Sequence, residues 1–327
     1  MSVTIKDIAK YTGVSFSTVS KALNNSPLVK PETKNRILNA AKELGYEPNL
    51  AARQLVSKET KIIGLVWPSI ERTALSTLVT KIHDEVQKRS YSMILSINSI
   101  QAAIEMFKRF QVDGVIIFEE NTLKSDDYTN LTIPVISYGI SRNNTIPFID
   151  VNYKKAMFQA VTYLYKLGHT NISFIGDCSD NDQRQIEKFN GFIEAMEQFR
   201  LPIKEHTLID TGGLEWYDGY TATRNLLEAP TIPSAVIGGS YDLSSGIIRA
   251  INEANLSIPN DISVIGYDNI PQMAHLETPL TSIGVPIQKT AEVIVSSLLQ
   301  LKNKPDAVPT RQTLEPELVK RMSCEKK

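Results

Sequence analysis

Over the first sixty residues, apolar positions recur at intervals of three and four. Ile5, Ile8 and Ala9 form such a stripe behind Thr4-Ile5-Lys6-Asp7, which has the spacing of a capping box. Gly13 ends this first predicted helix. Ser15 is placed to cap a second, whose inward side is Val19, Ala22 and Leu23. Asn24-Asn25-Ser26-Pro27 reads as a loop, and Pro31 suits the first turn of a third helix. Ile37, Ala40, Ala41 and Leu44 give that helix its stripe, and Gly45 suits the position just past its end. Three short helices with a tight glycine turn between the first two predict a helix-turn-helix unit. After Glu47-Pro48-Asn49, the run Leu50–Ser57 predicts a short linker helix, too short to be stable alone in water.

From about residue 61 the period changes. Continuous apolar runs at 62–66, 93–95, 115–118, 135–136, 172–176, 235–237 and 262–266 read as strands. Amphipathic stretches near 74–89, 101–110, 154–168, 184–199, 217–228, 243–255 and 287–302 read as helices. Apolar strands alternating with helices predict parallel sheets covered on both faces, and the number of strands calls for two sheets.

Charge changes this picture. The 327 residues carry a net charge of -1, which is bland, but its distribution is not. Residues 1–58 hold nine Lys/Arg against four Asp/Glu, a balance of +5, and the remainder carries -6. A basic head on an acidic body points to polyanion binding at one end. No stretch approaches the roughly 18 apolar residues of a membrane span. The polar N-terminus lacks a signal-peptide core, so the expected compartment is the cytoplasm. Cys178 and Cys324 are far apart and form no CxxC, so neither a disulfide nor a zinc site is expected.

The second helix is the first candidate for chemistry. With Val19, Ala22 and Leu23 turned inward, Phe16, Ser17 and Lys21 project outward from its first turns. A helix of this kind fits the DNA major groove, where Lys donates to guanine, Ser is permissive and Phe meets a thymine methyl. Thr4, Ser15 and Thr18 are placed to hold phosphates, which fix register but do not read sequence. In the linker, Arg53 can reach a phosphate or a minor-groove acceptor. Leu55 is an apolar residue with no evident core, fit to part a base step.

These residues carry a resemblance. Val3–Lys10, Gly13-Val14-Ser15, Thr18-Val19-Ser20, Leu23-Asn24, Val29–Thr33, Leu44–Asn49 and Ala52-Arg53-Gln54-Leu55 resemble the LacI/GalR repressor family. So do Val112–Ile116, Leu167-Gly168-His169, Ile258–Asp268, Pro279–Ile283 and Leu314–Arg321, in the family's order across the whole chain. The resemblance implies an α/β protein with three parts. Residues 1–48 would be a small all-α helix-turn-helix head, 49–60 a hinge helix that orders on DNA, and 61–327 a two-lobed, doubly wound body. That body is similar to type I periplasmic binding proteins, with one lobe at 61–159 plus 286–310 and the other at 160–285 plus 311–327. The chain would cross between lobes near 159, 285 and 311. Asn24 and Ala52 join the implied DNA contacts, and Leu55 matches the leucine that wedges into the minor groove.

An effector would bind between the lobes, at the carboxyl ends of the strands. Asp268 matches a family carboxylate that accepts effector hydroxyls, and Lys188 stands where the family has an arginine. Ser240-Tyr241 replaces an Asn-Asp pair, Leu214 stands in place of an aromatic, and the segment holding Ile70 and Glu71 lacks the aromatic expected there. These changes remove a planar fork, paired polar groups and stacking faces, and so depart from a site for a simple free sugar.

The implied function is a sequence-specific transcriptional regulator, a homodimer on a near-palindromic double-stranded operator. Its affinity would be controlled by a small molecule, a carbohydrate or a derivative. No cofactor, metal or membrane partner is expected. Met322–Lys327 has no leucine heptad, so no tail-mediated tetramer is expected. The competing reading is a binding-protein-like receptor without a DNA role, which the basic head argues against. A sugar-metabolising enzyme is disfavoured by the lack of a phosphate loop or catalytic cluster. His169, at a helix end, is expected to act as a C-cap and dipole partner.

Overall fold

The computed structural model describes residues 3–23, 25–46, 59–119, 133–139, 146–179, 182–304 and 311–327. The chain divides into two compact units, Met1–Thr60 and Lys61–Lys327. The predicted linker helix and residue 24 lie outside the described residues.

Among its described residues the first unit has three helices, α1 (Ile5–Thr12), α2 (Phe16–Leu23) and α3 (Pro31–Glu43). Thr4 caps α1: its backbone N–H and hydroxyl both donate to Asp7 Oδ2, at 2.9 and 2.7 Å. This holds the Asp7 carboxyl below its usual range, chiefly through the Thr4 hydroxyl. Gly13 ends α1 in the left-handed region at φ 68°, which a side chain would strain. Ser15 Oγ then accepts from Thr18 N at 3.2 Å and starts α2. The three stripes close on one core of Ile8, Val19, Ala22, Val29, Ile37, Ala40 and Ala41, with Leu23 and Leu44 half-buried at its edge. Tyr11 OH donates to Glu43 Oε2 at 3.1 Å and ties α1 to the end of α3.

Among its described residues the second unit holds two six-stranded sheets. The first comprises β1 (Ile62–Val66), β2 (Ser92–Ser96), β3 (Gly114–Glu119), β4 (Val135–Gly139), β5 (Phe148–Val151) and β11 (Arg311–Leu314), in the order β11-β5-β4-β3-β1-β2. The second comprises β6 (Ile172–Gly176), β7 (Leu208–Asp210), β8 (Ala235–Gly238), β9 (Ser263–Asn269), β10 (Thr281–Pro286) and β12 (Glu317–Val319), in the order β12-β10-β9-β8-β6-β7. The pairings are parallel except β10 with β12. In both sheets the strand order reverses at the first strand, at β1/β3 and β6/β8, where doubly wound sheets open a crevice beyond the carboxyl ends.

The helices are α4 (Thr73–Lys88), α5 (Ile100–Phe110), α6 (Tyr153–Lys166), α7 (Gln183–Gln198), α8 (Trp216–Leu227), α9 (Tyr241–Glu253) and α10 (Ile287–Asn303). A 3-10 turn covers Pro271–Ala274. One apolar cluster runs from Leu65 and Ile116 in the first sheet to Ile237 and Ile265 in the second. Helices α8 and α9 approach closely because Gly219 and Gly246 lack side chains. A Cβ at either would meet the other helix's backbone, Leu243 O or Trp216 O.

The lobe boundaries differ from those expected. The first crossing falls between Val151 and Tyr153, not near 159, because Asn152 caps α6 and the helix packs as a unit against α7 and β10. The third falls between Leu314 and Glu317. Arg311–Leu314 pairs parallel with Phe148–Val151 and so belongs to the first lobe, not the second, while Glu317–Val319 joins the second sheet against Ser282–Gly284. The second crossing lies at Pro286–Ile287.

His169 is not a charged dipole partner. It is buried, with its ring nitrogens 3.0 Å from Ser234 Oγ and 3.1 Å from Glu325 O. Burial pushes its pKa down and favours the neutral ring. Its role is to pin the C-terminal segment to the second lobe.

Candidate nucleic-acid interface and candidate ligand cleft

On α2 the buried side is Val19 and Ala22, so helical geometry turns the opposite side outward. Phe16 is 53% exposed, and Ser17 and Lys21 are exposed beside it. An exposed phenylalanine on a short helix anchored by its far side leaves an apolar group and an ammonium for a partner. Ser15 is exposed and Thr18 half-buried, with their hydroxyl oxygens 2.8 Å apart. Thr4 is exposed, but its hydroxyl is engaged by Asp7. Asn24, Ala52, Arg53 and Leu55 lie outside the described residues.

In the second unit, side chains at and beyond the carboxyl ends of strands from both sheets come together beside the first crossing. From the first lobe, Trp67 follows β1, and it packs with Phe118 of β3 and Tyr138 of β4. The centroid distances are 4.8 Å for Trp67–Phe118 and 6.4 Å for Trp67–Tyr138, the latter pair stacked within 1° of parallel. From the second lobe, α7 sends Arg184 over the Phe118 ring at 4.7 Å. One turn on, it sends Lys188 over the Tyr267 ring at 3.8 Å. Tyr153, at the first crossing, lies 5.9 Å from Tyr267.

Lys188 is 3% exposed and donates to Gly239 O at 2.8 Å. Burial lowers its pKa to about 7; the Asp268 carboxylate opposes this shift and Arg72 adds to it. Burial likewise raises the pKa of Asp268, against the pull of Lys188, the Tyr241 N–H and Arg72. Asp268 Oδ2 accepts from Tyr241 N at 2.9 Å. Its backbone sits at φ 94°, a strained value for a residue with a side chain and a mark of functional sites. Ser240 is buried and caps α9, its Oγ accepting from Leu243 N at 3.2 Å and lying 3.4 Å from Leu214 O.

The lobes are bridged beside this cluster. Thr73 Oγ1 donates to Asp242 Oδ1 at 2.6 Å, and Thr73 N to Asp242 Oδ2 at 3.2 Å. Gln272 Nε2 donates to Thr77 Oγ1 at 3.0 Å.

The structure thus brings Lys188, Tyr241 and Asp268 together, with Ser240 and the Leu214 carbonyl behind them. Ile70 is 49% exposed and Glu71 is exposed; the residue of that segment that reaches the charged cluster is its neighbour Arg72. Sequence reasoning also passed over Trp67, Tyr138, Tyr153, Arg184 and Gln272. One signal was available: Arg184 stands one helical turn before Lys188.

A helical head presenting an apolar-basic face, joined in one chain to a two-sheet body with a charged cleft, defines a class: ligand-responsive DNA-binding proteins. Residues 4–49 match the description "Bacterial regulatory proteins, lacI family", and residues 161–324 match "Periplasmic binding protein-like domain". The chain is 31% identical to Catabolite control protein A of Priestia megaterium, over 93% of this chain and 94% of that protein. It is 33% identical to the HTH-type transcriptional repressor PurR of Photorhabdus laumondii, over 98% and 96%. Its fold is similar to that of a lac repressor dimer bound to operator and the anti-inducer ONPF, with TM-score 0.82, 26% identity and coverage of 99% and 100%. The chain belongs to the lacI family of bacterial regulatory proteins.

Proposed function

We propose that this chain is a cytoplasmic, homodimeric transcriptional repressor that reads a near-palindromic operator with α2 and is controlled by a small molecule held between the two lobes. The observation that carries this reading is the outward face of α2, Phe16, Ser17 and Lys21, on a head packed entirely from its other side. Family membership and the operator-bound lac repressor neighbour support it. A receptor without a DNA role leaves the basic head and this face unexplained. The relatives are regulators rather than enzymes. Among the described residues no helix is long and apolar enough to cross a membrane, and no cluster of His, Cys, Asp and Glu has metal-holding geometry.

Control follows from linkage. A ligand shifts operator affinity only as far as it prefers one arrangement of the lobes over the other. The bonds Thr73–Asp242 and Gln272–Thr77 link the two lobes in this structure, and an arrangement that separated the lobes would break them. Phosphate contacts by the basic head make operator binding salt-dependent.

The test is DNA binding by the full chain beside residues 61–327. The full chain is expected to retain a two-fold symmetric duplex and the truncated chain to fail. Equal binding by both overturns the head assignment.

A further inference from the structure

Among the described residues, buried polar atoms without a hydrogen-bond partner include three from segments at or next to the lobe contacts above: Trp67 Nε1, just after β1, Arg72 Nε, beside Thr73, and Gln272 Oε1, whose Nε2 bonds Thr77. Trp67 itself is 1% exposed. Two of these atoms are donors and one is an acceptor. An unpaired buried group is unfavourable, so a ligand that pairs it gains more than one that replaces water at a surface.

Arg72 differs from the other charges around it. Arg184 is bound by Asp182, with Nη2–Oδ2 at 2.8 Å. Asp242 accepts twice from Thr73, and Asp150 is paired with Arg311 at 3.0 Å. Lys188 donates to Gly239 O. Arg72 lies close enough to Lys188 and Asp268 to perturb both, yet among the described residues no carboxylate bonds its guanidinium. A guanidinium fork matches the paired oxygens of a carboxylate or phosphate. Opposite it, Asp268 spends Oδ2 on Tyr241 N and keeps Oδ1 to accept a hydroxyl. The rings of Trp67, Phe118 and Tyr138 on one side and of Tyr153 and Tyr267 on the other pack on one another, with Arg184 over Phe118 and Lys188 over Tyr267, and wall this cluster.

We propose that the ligand of this cleft is an oxyanion-bearing polyol, a sugar acid or sugar phosphate, whose anionic group sits on Arg72 and whose hydroxyls are received by Asp268. The proposal rests on reading the cleft as the effector site. Arg72 starts α4 in the first lobe and Asp268 ends β9 in the second, so such a ligand bridges the lobes and favours the closed arrangement. A neutral sugar leaves Arg72 unpaired and loses that bridge.

The test is calorimetric titration of the full chain with three panels: neutral hexoses, the corresponding uronic and aldonic acids, and the corresponding sugar phosphates. At least one acid or phosphate is expected to bind at least 10-fold tighter than its neutral parent, roughly the worth of one charge-assisted hydrogen bond. The acid and phosphate panels separate the two anion sources. Arg72→Gln is expected to weaken that ligand by roughly 10- to 100-fold, with Arg72→Lys recovering part of the loss. Unchanged thermal unfolding of both unliganded variants shows that the fold is intact. A neutral sugar binding as tightly as its anionic derivatives, or an anionic ligand indifferent to Arg72→Gln, overturns the proposal. If that ligand still depends on Asp268→Asn, the cleft reading survives. Binding by no compound of any panel overturns both.

Discussion

Thr73 and Asp242, 169 positions apart, are joined by two hydrogen bonds that tie the first turn of α4 in one lobe to the first turn of α9 in the other. The carboxylate accepts from both the backbone N–H and the hydroxyl of Thr73, so it serves as an N-terminal anion for α4 while it clamps the lobes. Thr73→Val removes the shorter bond and keeps the side-chain shape. The loss is expected to be about 1 kcal/mol. Thermal unfolding should then fall by roughly 2–4 °C, and the radius of gyration from small-angle scattering should increase. A lower unfolding temperature with an unchanged radius would show that the bond stabilises the lobes without holding them together.

Lys188 makes stability depend on pH in a stated direction. Burial holds its folded pKa at about 7, whereas an unburied lysine titrates near 10.5. Between those values the unfolded chain binds a proton that the folded chain does not, so stability contributed at this site rises with pH across that window. Lys188→Met removes the dependence. The unfolding temperature of the unsubstituted chain minus that of Lys188→Met is expected to increase from pH 7 to pH 9.5. A difference that stays flat or shrinks contradicts the buried, proton-poor lysine.

Much of this architecture is legible in the chain because helices announce themselves by stripes. The stripe of Ile37, Ala40 and Ala41 in α3 and the capping pattern at Thr4 are local signals, and local sequence supplies them whole. Strands β5, β7, β10, β11 and β12 are not legible in the same way. In β10, Thr281 and Ser282 are fully buried although polar. They are satisfied by Ser323 Oγ, which accepts from Thr281 N at 2.8 Å, and by Arg321, which donates to Ser282 Oγ at 2.9 Å. Their partners arrive from forty residues away, so no window of sequence reveals the strand. The cleft behaves likewise. Lys188 and Asp268 could be named because they fall within family motifs. Arg72, Trp67 and Gln272 acquire their meaning only where the two lobes meet.

The outer face of α8 offers a test of assembly. Trp216 stacks on Tyr220 at 5.2 Å and Tyr217 lies 6.3 Å from it, yet Trp216 is 41% and Tyr217 66% exposed. Exposed aromatic clusters of this kind are typical anchors of protein interfaces. Trp216→Ala combined with Tyr217→Ala is expected to weaken the homodimer at least 10-fold, read by sedimentation, without disturbing the far-ultraviolet circular dichroism. An unaltered dimer would place the contact elsewhere.

The proposed readout of DNA sequence runs through Phe16, Ser17 and Lys21 on α2. The most direct measurement is selection of duplexes from a random pool by the full chain, repeated with Phe16→Ala and Lys21→Ala. The unsubstituted chain is expected to enrich one near-palindromic site. Each variant is expected to lose preference at defined, two-fold related positions, at about 1–3 kcal/mol per position. No enrichment, or the same site recovered with undiminished preference by both variants, would contradict this readout.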